Sequence, residues 1–148
     1  MAGQKRLYLQ YAALPFRLGT ERLEVMLVTS RETRRWVIPK GWPEGRMKPH
    51  LVAEMEAFEE AGVRGEIALT PIAAFEYVKL LPLKQKVSCL VEVFPLRVLE
   101  IAERWPEQSQ RQRRWMAADE AATLVQEKGL KQLLLSFAAT PDQADFAN

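Results

Sequence analysis

Residues 41–63 read GWPEGRMKPHLVAEMEAFEEAGV, and the reading of the whole chain turns on them. The stretch opens with Gly41, Pro43 and Gly45, turn-forming residues that make 40–48 a loop. Pro49 suits the first position of a helix, where the amide it lacks would have no partner anyway. The pattern predicts a helix over 49–61, stopped by Gly62. Along it Glu56, Glu59 and Glu60 stand at i, i+3 and i+4, which places them within an arc of about 100° on one face. Leu51, Met55 and Phe58 repeat at i, i+4 and i+7 on a different face and read as the core stripe.

Three carboxylates on one face are either a solvated acidic surface or a cation site. Like charges at i, i+4 repel by about 0.2–0.5 kcal/mol per pair. These three also sit toward the helix C-terminus, the end that disfavours anions. A bound cation removes both penalties, and carboxylate oxygens are the hard ligands that Mg²⁺ prefers.

Outward from the helix, the chain is mostly strand. Residues 7–17 read as a first strand and 23–30 (LEVMLVTS) as a dense second one, with a hairpin turn at Leu18-Gly19-Thr20. Residues 36–39 are a short strand before the loop. Strands follow at 72–80 and 86–96. A helix is predicted over 119–128 with Gly129 as its stop, a further helical stretch over 130–137, and a loose tail at 140–148. Strands in the first two thirds with a central and a C-terminal helix imply an α/β or α+β sandwich, not a regular doubly wound fold.

The 148 residues suit one domain, and 48% apolar with 27% charged residues is ordinary globular composition. A net charge of +2 does not argue for nucleic acid or membrane binding. Cys89 is the only cysteine, so no internal disulfide is available, and its apolar run makes it a buried small residue. The one histidine, His50, has no partner implied for nucleophilic chemistry. Residues 1–6 are polar with no apolar run behind them, and the apolar stretch at 87–96 is broken by Ser88, Glu92 and Pro95. Neither a signal peptide nor a membrane span is expected, and a cytoplasmic location is.

Loop, acidic helix and terminal glycine together resemble the box of the Nudix, or MutT-like, hydrolases: G-x5-E-x7-R-E-U-x-E-E-x-G-U, with U aliphatic. Gly41, Glu56, Glu59, Glu60, Gly62 and Val63 fall on its fixed positions, and Ala57 is a small occupant of an aliphatic one. Two positions depart. Met47 stands where the box has its first Glu, and Met55 where it has Arg, so two charges are missing together; Glu44 lies nearby. In the family that Glu supports the metal site and that Arg orients the carboxylates. The stretch 36–40 (WVIPK) resembles the strand that leads into the box, and Ser30-Arg31, Trp105-Pro106-Glu107, residues 111–115 and Asp119-Glu120-Ala121 resemble the members acting on diphosphoinositol polyphosphates and dinucleoside polyphosphates.

The resemblance implies one Nudix domain over 1–148, an α/β/α sandwich with a mixed sheet. It implies a Mg²⁺-dependent enzyme, with Mn²⁺ as an alternative ion, that cleaves a phosphoanhydride bond in a small polyphosphorylated molecule by attack of water. Glu59 and Glu60 would be the main metal ligands, with the Lys40 carbonyl as another and Glu56 as a further ligand or the base. Arg17, Arg31, Lys40, Lys84, Lys86 and Arg111 are the basic residues expected nearest the substrate. Arg111, Arg113 and Arg114 form a cluster that either binds further phosphates or solvates a loop. Trp36 and Trp42 either stack on a base or pack. Two other readings stay open. A module that binds a nucleotide without cleaving it is favoured by Met47 and Met55 and disfavoured by the intact glutamates. An RNA-end pyrophosphohydrolase is weakened by the low net charge.

Overall fold

The N-terminal strand is buried on both faces, and that fact organises the rest of the structure. The computed structural model describes residues 6–139. In β1 (Leu7–Leu18), Ala12, Leu14 and Phe16 point to one side of the sheet, and Tyr11 and Ala13 to the other. A strand with two apolar faces needs a layer on each. On one face lies α1 (Pro49–Ala61). On the other lie α2 (Ala118–Leu124) and α3 (Lys128–Ala139), whose Ala121, Leu130, Leu134 and Phe137 close the second core. The result is an α/β/α sandwich.

The sheet is mixed. The central β1 runs parallel to β7 (Lys86–Ile101), Leu7 pairing with Ser88 and Phe16 with Arg97, and antiparallel to β2 (Leu23–Thr29). The β1–β2 turn is where the sequence puts it, with the Gly19 amide donating to the Arg22 carbonyl at 2.9 Å. Beyond β2 come β3 (Trp36–Val37) and β8 (Arg113–Ala117); β4 (Lys40–Gly41) adds a two-residue bridge to β1. On the far side of β7 lie β5 (Val63–Ile67) and β6 (Ala73–Leu80), the latter closing a hairpin through a 3-10 turn at Pro82–Lys84. No helix among the described residues is long and apolar enough to cross a membrane.

Helix α1 matches its predicted bounds. Lys48 is extended before Pro49, and Gly62 ends the helix in the left-handed region at φ 67°, its amide donating to the Phe58 carbonyl at 2.9 Å. A Cβ there would also sit 2.7 Å from Arg113 Nη1 and 2.8 Å from the Trp105 ring, so Gly62 is needed for shape as well as conformation.

Four expectations need correction. The core stripe of α1 is not Leu51, Met55 and Phe58. Leu51 is 40% exposed and the other two are half-buried; Val52, Ala53, Ala57 and Ala61 are the buried apolar residues. Small side chains let the helix lie close on Tyr11, Ala13 and Phe94, while Phe58 lies under the Arg64 guanidinium at 3.8 Å. The strand expected over 86–96 runs on to Ile101, because Arg97 and Glu100 oppose Glu66 and Arg64 on β5, a strand too short and too polar to be read from sequence. Gly129 is no helix stop: the C-terminal region breaks earlier, after Leu124, and Gly129 lies in the first turn of α3 against Phe75. Arg113 and Arg114, read as part of a basic cluster that either binds phosphates or solvates a loop, open strand β8. The tail expected at 140–148 lies outside the described residues.

Candidate active site

The approach to the glutamates is built by the central strand. The Ala13 amide donates to the Pro39 carbonyl at 3.0 Å, and Tyr11 and Ala12 pair with Gly41 and Lys40, so the chain leaving β3 is pinned beside the C-terminal half of α1. Gly41 is then the point of closest approach. A Cβ on it would lie 2.5 Å from the Glu56 carboxyl carbon and 2.7 Å from Oε1. The glycine supplies the room that the Glu56 carboxylate occupies.

The C-terminal end of α1 is also held from outside. The last carbonyls of a helix have no partner within it. Here Trp105 Nε1 donates to the Glu60 carbonyl at 3.1 Å, the Glu107 amide to the Glu59 carbonyl at 3.0 Å and the Ala102 amide to the Gly62 carbonyl at 2.8 Å. Arg113 Nη1 donates to the Ala61 carbonyl at 2.9 Å, its Nη2 to the Ala102 carbonyl at 2.7 Å, and its guanidinium stacks 3.7 Å over Trp105. Segment 102–113 is thus a clasp on the helix end that carries the carboxylates.

Glu60 is the most buried of the three, with 6% of its side chain exposed. Burial pushes its carboxyl up to about 8, against the pull of the Arg111 guanidinium, with a hydrogen bond and charge from Glu56 adding to the rise. Burial also raises Glu56, while its hydrogen bond with Glu60 opposes the rise and the charges of Glu59, Glu107 and Glu44 add to it. Among the described residues no three His, Cys, Asp or Glu side chains already converge as a cation site. The donor set nevertheless fits a hard cation. Glu56 and Glu60 stand one turn apart on the same helix face, and burial raises the carboxyl pKa of each, a cost that a divalent ion bound to both would offset.

These residues form one wall of an open cleft of about 880 Å³. The same cleft is lined by Arg31 and Arg35 from the β2–β3 loop, Lys40 from β4 and Lys79 from β6. Arg35 Nη1 donates to Gln126 Oε1 at 2.9 Å and lies 3.7 Å from the buried Glu127 carboxylate. Lys40 Nζ lies 5.2 Å from the Tyr77 ring centroid; burial lowers its pKa, and Glu60 and Glu127 counter that. Tyr77 donates its hydroxyl proton to Gln10 Oε1 at 2.6 Å, and both line the cleft. The rim is apolar: Trp42, 40% exposed, and Val78, Leu80, Leu81 and Pro82 of the β6–β7 hairpin. Cys89 is buried, and burial pushes its thiol up, away from the reactive thiolate.

The cleft brings together Glu56, Glu59, Glu60, Arg31, Lys40 and Arg111. It leaves out three of the expected basic residues. Arg17 bonds Glu24 at 2.7 Å and lies over Trp115, while Lys84 and Lys86 are exposed on the hairpin and do not line the cleft. Trp36 packs against the core. The basic cluster divides: Arg111 faces the glutamates, Arg113 caps the helix, and Arg114 points outward near Glu120 at 4.0 Å. Arg35, Lys79, Tyr77 and Gln10 line the cleft without having been singled out, and so does Glu107, named only within the Trp105-Pro106-Glu107 stretch and given no role. Of these only Glu107 carried a local signal, four residues before Arg111.

No family model matches the chain. Individual relatives do. It is 34% identical over 119 residues to "Nudix hydrolase 12, mitochondrial" of Arabidopsis thaliana, covering 78% of this chain and 59% of that protein. It is 31% identical over 117 residues to mouse "Diphosphoinositol polyphosphate phosphohydrolase 3-alpha", covering 78% and 67%. The chain therefore spans less than two thirds of the length of the first of these relatives. Its fold is similar to that of a Caenorhabditis elegans Ap4A hydrolase, with a TM-score of 0.64 at 14% identity over 90% of this chain and 98% of the other. Sequence identity over most of its length, the shared sandwich and the Gly41–Val63 pattern agree: the chain belongs to the Nudix hydrolase family.

Proposed function

We propose that this chain is a divalent-metal-dependent pyrophosphohydrolase that cleaves a phosphoanhydride bond of a dinucleoside polyphosphate by attack of water. The charge layout of the cleft carries this reading. Five cations line it (Arg31, Arg35, Lys40, Lys79 and Arg111) against six carboxylates (Glu32, Glu44, Glu56, Glu59, Glu60 and Glu107). Protein charge alone is close to balanced there and gives a polyphosphate little net attraction. A divalent ion on the α1 glutamates lifts the formal balance of the cleft above zero and leaves the other cations for the remaining phosphates.

Glu59, Glu60 and the Lys40 carbonyl hold Mg²⁺ or Mn²⁺ in this reading, and Glu56 supplies a further oxygen or takes the proton of the attacking water. When bound, the ion neutralises phosphate oxygens and lowers the pKa of a ligated water. The protein's own share is placement. Gly41 and the 102–113 clasp fix the carboxylates, and Arg31, Arg35 and Lys79 orient the phosphate chain. The apolar rim and Trp42 favour a substrate with a flat apolar part, which a nucleoside has. A diphosphoinositol polyphosphate is the second reading, favoured by the name of the mouse relative.

A phosphate-release screen tests this: dinucleoside polyphosphates, nucleoside triphosphates, nucleotide sugars and inositol pyrophosphates, each with Mg²⁺, Mn²⁺ or chelator. Metal-dependent turnover fastest on dinucleoside polyphosphates is expected. No turnover above the chelator control, or a nucleotide sugar or simple triphosphate turned over far faster, sinks the reading.

A further inference from the structure

Arg111 departs from what a phosphate-gripping residue looks like. Only 9% of its side chain is exposed, and all three guanidinium nitrogens have protein partners. Nε donates to Glu107 Oε1 at 2.8 Å and Nη1 to the Thr29 carbonyl at 3.0 Å. Nη2 lies 3.6 Å from Glu60 Oε1. A guanidinium is planar and rigid, so two fixed acceptors set the direction of the third nitrogen. One anchor is the end of β2. The other, Glu107, is itself bonded through its amide to the Glu59 carbonyl on α1. Sheet, clasp and helix therefore meet in one side chain, and what that side chain aims at is the Glu60 carboxylate.

Helix α1 needs such a partner. Its last turn holds no basic residue, and Glu56 and Glu60 are like groups one turn apart. Of the positions a turn before the glutamates, Val52 and Ala53 are buried in the core, and Met55, a turn before Glu59, is half-buried and uncharged. The counter-charge has to come from outside the helix.

We propose that Arg111 is the positioning residue of the carboxylate cluster, holding Glu60 in place from the clasp in lieu of any cation on α1. The proposal rests on Glu60 as a metal ligand, as proposed above. It predicts that a guanidinium carried by the helix itself can take over.

The test compares the wild type, Arg111→Met, Arg111→Lys, Glu107→Gln, Glu107→Leu and the double variant Met55→Arg with Arg111→Met. Three quantities are measured: the Mn²⁺ dissociation constant by calorimetry without substrate, kcat and KM on the best substrate, and melting in chelator. A residue that only balanced charge would, once removed, leave the site more anionic and tighten Mn²⁺ binding. A residue that holds Glu60 in place gives the opposite sign. Arg111→Met is expected to weaken Mn²⁺ at least threefold and lower kcat at least tenfold, with KM changed less than threefold. Arg111→Lys, a point charge that cannot serve three acceptors, falls between. The double variant recovers at least part of both losses. Tighter or unchanged Mn²⁺ binding overturns the proposal, as does a tenfold rise in KM with kcat intact, which makes Arg111 a substrate contact. If Arg111→Met fails to fold, Glu107 decides: Glu107→Gln removes its charge but keeps an acceptor for Arg111 Nε, and Glu107→Leu removes both. Weaker Mn²⁺ binding in Glu107→Leu than in Glu107→Gln is expected, and equal affinity in the two refutes the role. If no substrate is hydrolysed by the wild type, the hydrolase reading fails while the Mn²⁺ constants still decide this one.

Discussion

Glu59 and Glu60 follow one another in sequence yet are held by different neighbours, and single substitutions can separate what each does. Glu60 is buried between Glu56 and Arg111; Glu59 is half-buried at the cleft, with its main chain tied to Glu107. Replacing either by Gln keeps shape and removes one ligand charge. Hydrolysis is expected to fall by about 10²–10³-fold in each variant with melting little changed, the range seen when one preorganised electrostatic group is lost. Near-normal turnover in either purified variant would remove that residue from the ligand set. Gly41 gives a second, purely steric probe. Its φ is not in the left-handed region, so Gly41→Ala costs no backbone strain; the new Cβ meets the Glu56 carboxylate instead. At least a tenfold loss of kcat is expected, and a variant with unchanged kcat means the Glu56 position does not matter. Both ends of this contact were visible in the sequence as box positions. The contact itself was not, because it depends on β4 being pinned to β1. Arg111 was visible as a basic residue near the substrate, but its partners Thr29 and Glu60 lie 82 and 51 positions away, beyond any local pattern.

Helix α1 shows where periodicity reads true and where it misleads. Its ends were legible because Pro49 and Gly62 act locally. Its buried face was not, because the reading gave weight to large apolar residues, whereas the helix lies close to the sheet through Val52, Ala53, Ala57 and Ala61. Close approach selects for smallness, which hydrophobicity alone does not report. The clasp was illegible for a related reason. Segment 102–113 is polar and irregular, and its value lies in satisfying carbonyls of a helix 45 to 52 residues earlier. Its central piece is testable. Arg113→Met strips two short bonds from the Ala61 and Ala102 carbonyls and the stack on Trp105, so a loss of about 2–4 kcal/mol is expected from unpaired carbonyls and a lost charge-assisted pair. Arg114→Met, next in sequence but outward and 4.0 Å from Glu120, is expected to cost less than about 1 kcal/mol. Urea melts of the two variants decide it. Equal losses would mean that the clasp does not hold the helix end.

The molecule as a whole keeps repelling carboxylates together with a sheet and a clasp, and a bound ion should repay part of that cost. A ligand at a hundred times its Kd stabilises the folded state by about 2.7 kcal/mol. For a chain of this size that is a rise in melting temperature of about 5–10 °C. The wild type is expected to show it with Mn²⁺ or Mg²⁺, and Glu60→Gln to lose most of it. A rise of the same size in the variant would place the ion elsewhere. The mixed sheet behind the site was legible in outline, since strand order and helix positions imply a sandwich. The parallel pairing of β1 with β7, which brings the β6–β7 hairpin to the rim of the cleft, was not, because a register across 81 residues leaves no local trace.

That rim separates the two substrate readings. An inositol pyrophosphate is anionic all round and would use the cations and the ion but gain nothing from Trp42, Val78 and Leu80. A nucleoside has a flat face, and stacking a base on an aromatic side chain is worth about 1–3 kcal/mol, or roughly 5- to 150-fold in binding. Trp42 is 40% exposed, so replacing it by Ala empties no core and is expected to leave melting unchanged. The expected result is a rise in KM of about tenfold for a dinucleoside polyphosphate, kcat held within threefold, and no change for an inositol pyrophosphate. The same selectivity should appear when Leu80, 64% exposed on the hairpin, is changed to Asp, because a carboxylate on the rim both removes apolar contact and repels phosphate. There the inositol substrate should suffer too, through charge alone, and added salt should relieve that part of the effect but not the loss of stacking. Equal KM changes for both substrates in Trp42→Ala would show that the rim does not read the nucleoside, and the inositol reading would then stand in its place.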